Sequence, residues 1–300
     1  MQDKKVSING LFLKSARPIS LAVCILTYFM GIGISVYLGH PINWNTCFLG
    51  LGCILLILLA GYYLFVFFDW LQPGFKYKDQ IEPSSILTIR PLFYQVPVIL
   101  LSAALVVLVV LYLQIKFFIL IWFILGIAIG LAVLYAVPPF RLVYSGFGEL
   151  IEAVLVCNLP PTLAFVLQVG SIHRLVTIFS LPVTLLFMAM LLALSLPDYA
   201  QDIKYARKNL MVRMGWQTGM TMLNLLILSA YIIILLTSFL GLPVTMIVPP
   251  LCTLPLACFQ VWQIYRISTG SKPHWQWIKL SAYALPILLA YLFTAAAWMG

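Results

Sequence analysis

CFLGLGCILLILLAGYYLFVFFDW, residues 47–70, decides the fold. Its first 22 residues carry no charge, and the run ends on Asp69 followed by Trp70. A spanning helix needs about 20 mostly apolar residues, and Trp is a typical residue of the membrane–water interface. The run lacks the in–out alternation of an outer-membrane barrel strand, so it reads as a transmembrane helix with an acid at its end. Eight further runs qualify on the same grounds. The expected spans are therefore 19–38, 47–68, 96–113, 117–136, 150–169, 176–196, 220–240, 244–265 and 277–298. The fold class is an all-α membrane protein, with about nine transmembrane helices in one bundle.

Composition points the same way. Of 300 residues, 63% are hydrophobic and only 8% are charged, against roughly 25% charged in soluble proteins. The 17 Lys and Arg exceed the 8 Asp and Glu, for a net charge of +9. These bases sit in short connections, where topology and anionic lipid account for them, and no basic stripe on a nucleic-acid fold is present. The six cysteines fall in or beside apolar runs with no CxxC pair, so they read as small core residues. The first apolar run is long enough to span and is expected to remain in the mature protein.

Orientation follows from the basic residues. With the N-terminus inside, fifteen Lys and Arg lie on that side, and only Lys116 and Arg174 on the other. All eight acids fall on the same inner side. The N-terminus is expected to be cytoplasmic and the C-terminus outside, in the plasma or inner membrane. The longest connections, 69–95 and 197–217, are both inside. Each begins with an Asp at the end of an even-numbered span, which hints at a duplicated four-helix unit.

Three stretches carry chemistry. In PDYAQDIKYARKNLMVRMG, residues 197–215, Asp198 and Asp202 stand four apart. If the sixth helix continues through them they share a face and can hold one divalent cation; hard cations such as Mg²⁺ often bridge carboxylates to phosphate. Lys204, Arg207, Lys208 and Arg213 follow and suit phosphate oxygens. A solvated loop whose acids balance its bases has the same pattern. In YYLFVFFDWLQPGFKYKDQ, residues 62–80, Asp69 is a functional candidate by its depth, or a marker of the water interface. Asp79 and Glu82 read as plain loop charges. In YAVPPFRLVYSGFGELIEAVLVCN, residues 135–158, Pro138 and Pro139 stop the fourth helix and glycines permit a turn. Glu149 and Glu152 suit the start of the fifth helix. Asn158, deeper, either faces a cavity or bonds a neighbouring helix. No histidine pair, Walker loop or nucleophile elbow is present, and acids gathered at one face argue against a transporter.

These motifs resemble those of the UbiA superfamily of intramembrane prenyltransferases, which has nine helices and Asp-rich motifs ending the second and sixth. The 198–215 segment is similar to the family's DxxxDxxxGKRTLxVRLG, and Pro197 and Tyr199 look most like the branch of 1,4-dihydroxy-2-naphthoate polyprenyltransferases. ARPIS at 16–20 resembles the start of the first helix, RPL at 90–92 that of the third, and PPFRLVYSGFGEL at 138–150 the PPxRLKYxGLGEL link. The resemblance implies one domain over 1–300, with the 69–95 and 197–217 connections capping an active site. It implies a Mg²⁺-dependent transfer of an isoprenoid chain from a prenyl diphosphate to a membrane-accessible, aromatic, quinone-precursor-like acceptor. Asp69, Asp198 and Asp202 would hold Mg²⁺; Arg141, Lys208, Arg213 and Tyr135 would bind diphosphate; Phe65 and Phe68, with Asn158, would line the cavity; Asp79 and Glu82 would be auxiliary acids. The chain departs from the first motif, roughly NDxxDxxxD. Phe65 and Val66 replace its Asn and first Asp, Pro73 its last Asp, and Val143 stands at the Lys of the link. The reduced motif leaves open a terpene cyclase or altered-substrate member, or a non-catalytic homologue binding isoprenoid lipid or quinone.

Overall fold

The structure is a computed structural model of the chain and describes residues 8–70, 83–114, 119–240 and 242–299. Among the described residues it is all helix, without strands, and nine helical segments are long and apolar enough to cross a membrane. A short helix α1 (Ile8–Ser15) precedes α2 (Pro18–Tyr37), α3 (Trp44–Asp69), α4 (Pro83–Gln114) and α5 (Ile119–Ala136). The fifth span combines α6 (Gly148–Ala153), a π-helical segment (Val154–Asn158) and α7 (Leu159–Val169). It is followed by α8 (Arg174–Ser195) and two short helices, α9 (Tyr199–Lys204) and α10 (Leu210–Met214). The last three spans are α11 (Trp216–Leu236), α12 (Val244–Leu251) with α13 (Leu254–Ser268), and α14 (Trp275–Met299).

Local chemistry sets most helix ends. Pro18 opens α2, where a missing N–H costs nothing. Asn43 and His173 cap α3 and α8 through side-chain acceptors. Gly170, at φ 80°, closes α7 in a left-handed conformation. Pro138 and Pro139 stand one residue beyond the end of α5, where the sequence predicts the stop.

The third span differs from expectation. The 69–95 connection was expected as loop, and RPL at 90–92 as a helix start. Instead α4 already begins at Pro83 and carries Pro91 and Pro97 within it; residues 71–82, with Asp79 and Glu82, lie outside the described residues. The physical reason is tertiary. Phe93, just past Pro91, is fully buried, stacks on Phe12 of α1 at 4.6 Å, and packs on Tyr63 and Trp70. This aromatic cluster holds the proline-bearing turn against α3 and fixes α1 across it.

In a membrane every backbone polar group needs an internal partner. The fifth span meets this at an awkward point. The carbonyl of Val156 faces prolines at both positions that could donate to it along a helix, Pro160 and Pro161. The chain departs into a π-helical turn there, and the Thr27 hydroxyl of α2 lies 2.9 Å from the Val156 oxygen and 3.0 Å from that of Cys24. Close approach of α2 permits this. Gly31 sits against the backbone of Pro161, where an added Cβ would be 2.3 Å from the carbonyl oxygen. Gly31→Val is expected to destabilise the bundle by roughly 1–3 kcal/mol through overpacking. Gly52→Ala, at a helical position with open space, should raise the unfolding temperature of the detergent-solubilised protein slightly; equal unfolding temperatures for the two variants would contradict the packing described.

Candidate active site

A cavity of about 600 Å³ lies at one end of the bundle, where α2 begins, α3 and α8 end and α6 begins. Its inner wall is apolar, from Met190, Leu191 and Leu194 of α8 together with Tyr283 of α14. Nearly all the rest of its chemistry comes from three carboxylate clusters, whose acids are buried except for the half-buried Asp198.

The first centres on Asp69, the last residue of α3 and only 4% exposed. Tyr144 donates its hydroxyl to Oδ1 at 2.5 Å, and Arg141 Nη2 donates to the same oxygen at 3.0 Å. Arg207 Nη2 donates to Oδ2 at 3.3 Å. Both guanidiniums also face the Tyr144 ring, at 4.7 and 5.8 Å from its centroid. The proline stop after α5 makes this possible. Arg141 adopts a left-handed backbone at φ 39°, and a 3-10 turn over Leu142–Tyr144 brings Arg141 and Tyr144 onto the same carboxylate. Burial, and then the Asp69 charge, push the Tyr144 hydroxyl above its ordinary range. It therefore stays protonated and keeps donating.

The second cluster holds Asp198 and Asp202. The sixth helix does not continue through both: α8 stops at Ser195, and α9 restarts at Tyr199 with Asp198 as its N-cap residue. The one-turn relation survives, since the Asp202 N–H donates to the Asp198 carbonyl at 2.9 Å. Both side chains line the cavity. Asp202 is buried, and its Oδ2 accepts from Asn209 Nδ2 at 2.7 Å. Asn209 also caps α10 through its own oxygen at 2.8 Å. Between them α9 ends in a Schellman turn: Ala206 N–H bonds the Ile203 carbonyl, and Arg207 N–H bonds that of Asp202. Such a turn wants glycine at its left-handed residue, and Ala206 occupies it at φ 53°. This reversal aims Arg207 back across the cavity at Asp69.

The third cluster was not anticipated as part of the site. Glu152, one turn into the fifth span, is 3% exposed. It accepts from Arg17, from Tyr62 at 3.1 Å, from Tyr135 at 3.2 Å and from Ser20 at 3.3 Å. Arg17 reaches it from a left-handed backbone at φ 47°, just before Pro18. Glu149, three residues earlier, receives the Leu210 N–H on Oε1 at 3.1 Å, while its buried Oε2 has no hydrogen-bond partner. The available sequence signal was the i, i+3 spacing of Glu149 and Glu152, together with an arginine before a helix-opening proline. Among the described residues, the three non-glycine positions with positive φ are Arg17, Arg141 and Ala206. Each holds or launches an arginine of this site, which is where strained backbone concentrates.

The other expected residues fall as follows. Tyr135 and Phe65 line the cavity; Phe65 lies 5.8 Å from Tyr135 and 6.1 Å from Tyr144, under the Arg17 guanidinium at 5.4 Å. Phe68 packs edge-on to Phe67 at 5.1 Å. Asn158 donates to Ser180 of α8 at 3.2 Å, a helix-to-helix bond. Lys208 is exposed. Arg213 is also exposed; it donates to the Ser145 carbonyl at 2.8 Å and covers Phe147. Arg207, rather than either of these, reaches the cavity wall.

Among the described residues no group of three or more His, Cys, Asp or Glu stands ready to hold a metal ion. Two carboxylates one turn apart, Asp198 and Asp202, fit a hard cation that takes its remaining oxygens from phosphate and water. The partnerless Glu149 Oε2 fits a cation nearby.

The sequence model of the UbiA prenyltransferase family matches residues 92–283, and the chain belongs to that family. Solved structures share the fold. A digeranylgeranylglyceryl phosphate synthase superposes with a TM-score of 0.63 at 17% identity, over 96% of this chain and 99% of the other. A UbiA homologue from Archaeoglobus fulgidus bound to GPP and Mg²⁺ gives 0.59 at 15% identity, over 96% and 99%. The same homologue bound to DMAPP and Mg²⁺ gives 0.58 at 14% identity, over 95% and 99%. No curated protein sequence matches the chain.

The Schellman turn yields a direct test. A left-handed backbone costs an L-residue roughly 1–2 kcal/mol, partly offset by the entropy a glycine loses on folding. Ala206→Gly is therefore expected to stabilise the protein by about 1 kcal/mol, seen as a higher unfolding temperature. A lower one would refute the turn geometry.

Proposed function

We propose that this protein is an intramembrane prenyltransferase that breaks an isoprenoid diphosphate with Mg²⁺ and passes the chain to an acceptor. The single observation behind this reading is the convergence of Asp69, Asp198 and Asp202 with Arg207 on one cavity whose inner wall is apolar. Family membership supports it, as do the relatives described with prenyl diphosphates and Mg²⁺. Asp198 and Asp202 would hold the metal. When bound, it would polarise the diphosphate as a leaving group.

The protein's own residues do the rest. Arg207, held with Arg141 on Asp69, offers fixed positive charge beside the diphosphate oxygens, which gain charge as the allylic C–O bond breaks and its electron pair leaves with them. Leu191, Leu194 and Met190 receive the apolar chain and exclude water. Phe65 lines the cavity and has Arg17 over its ring; any part of the ring turned to the cavity would stabilise the allylic cation. The acceptor's nucleophilic atom then bonds that carbon and loses a proton. We read the acceptor as an aromatic quinone precursor. We place the cavity on the cytoplasmic side of a cell membrane because the sequence pattern assigns fifteen of the seventeen Lys and Arg to the same side as the Asp69 and Asp198 ends of their spans, with the 197–217 connection as its cap.

A second reading, a non-catalytic isoprenoid- or quinone-binding homologue, is favoured by one observation: the Asp69 carboxylate is engaged by two arginines. The two readings separate in one experiment. Geranylgeranyl diphosphate is offered to purified protein with Mg²⁺ or with EDTA, and diphosphate release is followed. Mg²⁺-dependent binding with release, lost in both Asp198→Ala and Asp202→Ala while the protein remains folded, is the expected result. Full-strength binding in both variants would remove the site from these residues.

A further inference from the structure

We infer that Arg207 is a diphosphate-binding residue held in place by Asp69, and that the Asp69 side of the cavity takes guanidinium charge where a metal ion would otherwise sit, so that one divalent cation suffices. This deepens the proposed function and rests on it.

The inference starts from how Asp69 is used. Its Oδ1 accepts from Tyr144 and Arg141, and its Oδ2 from Arg207. To ligate a metal, the carboxylate would have to hold a divalent charge beside two positive side chains, with most of its acceptor positions already taken by Tyr144, Arg141 and Arg207. Coulomb repulsion at such distances in a partly buried site disfavours that arrangement. On α3 itself no second oxygen ligand is at hand, because Phe65 and Val66 occupy the preceding turn.

The arginines are placed by backbone rather than left to wander. Arg141 sits at φ 39°, and Arg207 follows a Schellman turn whose reversal is forced through Ala206 at φ 53°. Strain of this kind persists only where surrounding structure over-determines it. Arg207 and Asp69 line the cavity, and so do Asp198 and Asp202. A phosphate group has a place at Arg207, and a hard cation at the two carboxylates one turn apart. Tyr144, bonded to Asp69 and lying under both guanidiniums, serves as a positioning residue.

The test uses the full chain in detergent, with Mn²⁺ counted by electron paramagnetic resonance in the presence of inorganic pyrophosphate. One Mn²⁺ per chain is expected in the wild type, and still one in Asp69→Asn. Arg207→Gln should keep that single ion but bind pyrophosphate roughly ten- to a hundredfold more weakly, the value of a charge-assisted hydrogen bond. Arg207→Lys should recover part of the loss, which a purely structural role would not predict. Removing Arg207 leaves Asp69 paired with Arg141 and Tyr144, so folding should survive. Two Mn²⁺ per chain, or a metal lost in Asp69→Asn, would overturn the inference and leave the prenyltransferase reading intact. So would unchanged pyrophosphate binding in Arg207→Gln. A folded wild type that binds neither Mn²⁺ nor pyrophosphate would overturn both.

Discussion

A carboxylate at the end of a helix that has just crossed more than twenty apolar residues is expensive to keep charged. Asp69 is held in that position by two guanidiniums and a phenol, delivered by two separate connections of the chain. Much of the site follows from this one requirement. It draws the link after α5 inward, so that Arg141 and Tyr144 reach the end of α3. It also draws the connection after α9 back across the bundle, so that Arg207 closes the opposite wall. The cavity is the space enclosed by those two reaches.

A parallel arrangement sits one layer deeper. Glu152 gathers Arg17, Tyr62, Tyr135 and Ser20, and so ties the starts of α2 and α6 to α3 and α5. Breaking such a buried pair by removing one partner leaves an uncompensated charge, which is far more damaging than losing a surface ion pair. The two hubs differ in consequence. Both hubs line the cavity. The Glu152 carboxylate accepts from one arginine and three hydroxyls, whereas Asp69 engages two arginines, of which Arg207 lines the cavity, which suits the Asp69 hub to an anionic ligand.

The same demand for satisfied polar groups operates along the backbone. Two consecutive prolines in the fifth span remove both donors from the Val156 carbonyl. The helix answers with a π-helical turn and a hydroxyl from α2. Gly31 makes that neighbour's approach possible. In lipid such exchanges cannot be left to water, so they dictate which helices touch and how closely.

By itself the sequence determined that the chain is a nine-span helical membrane protein. Runs of apolar residues near twenty long have one stable outcome in a bilayer, and their ends are marked by proline, glycine and capping side chains. Asp69, Asp198 and Asp202 were also legible, because carboxylates bordering apolar runs stand out against a chain with 8% charge. Tertiary structure alone decided which bases accompany them. Arg207, Lys208 and Arg213 are equivalent in the sequence, yet only a left-handed turn at Ala206 selects Arg207 for the cavity. Glu152 and Arg17, 135 positions apart, carry no local mark of their pairing. The helical run from Pro83 through Pro91 likewise depends on Phe12, Tyr63 and Trp70 closing around Phe93. Span formation is a local exchange of backbone and side chain with lipid, and it can be read along the chain. Charge pairing is a long-range choice among candidates, and it is settled only when the helices pack.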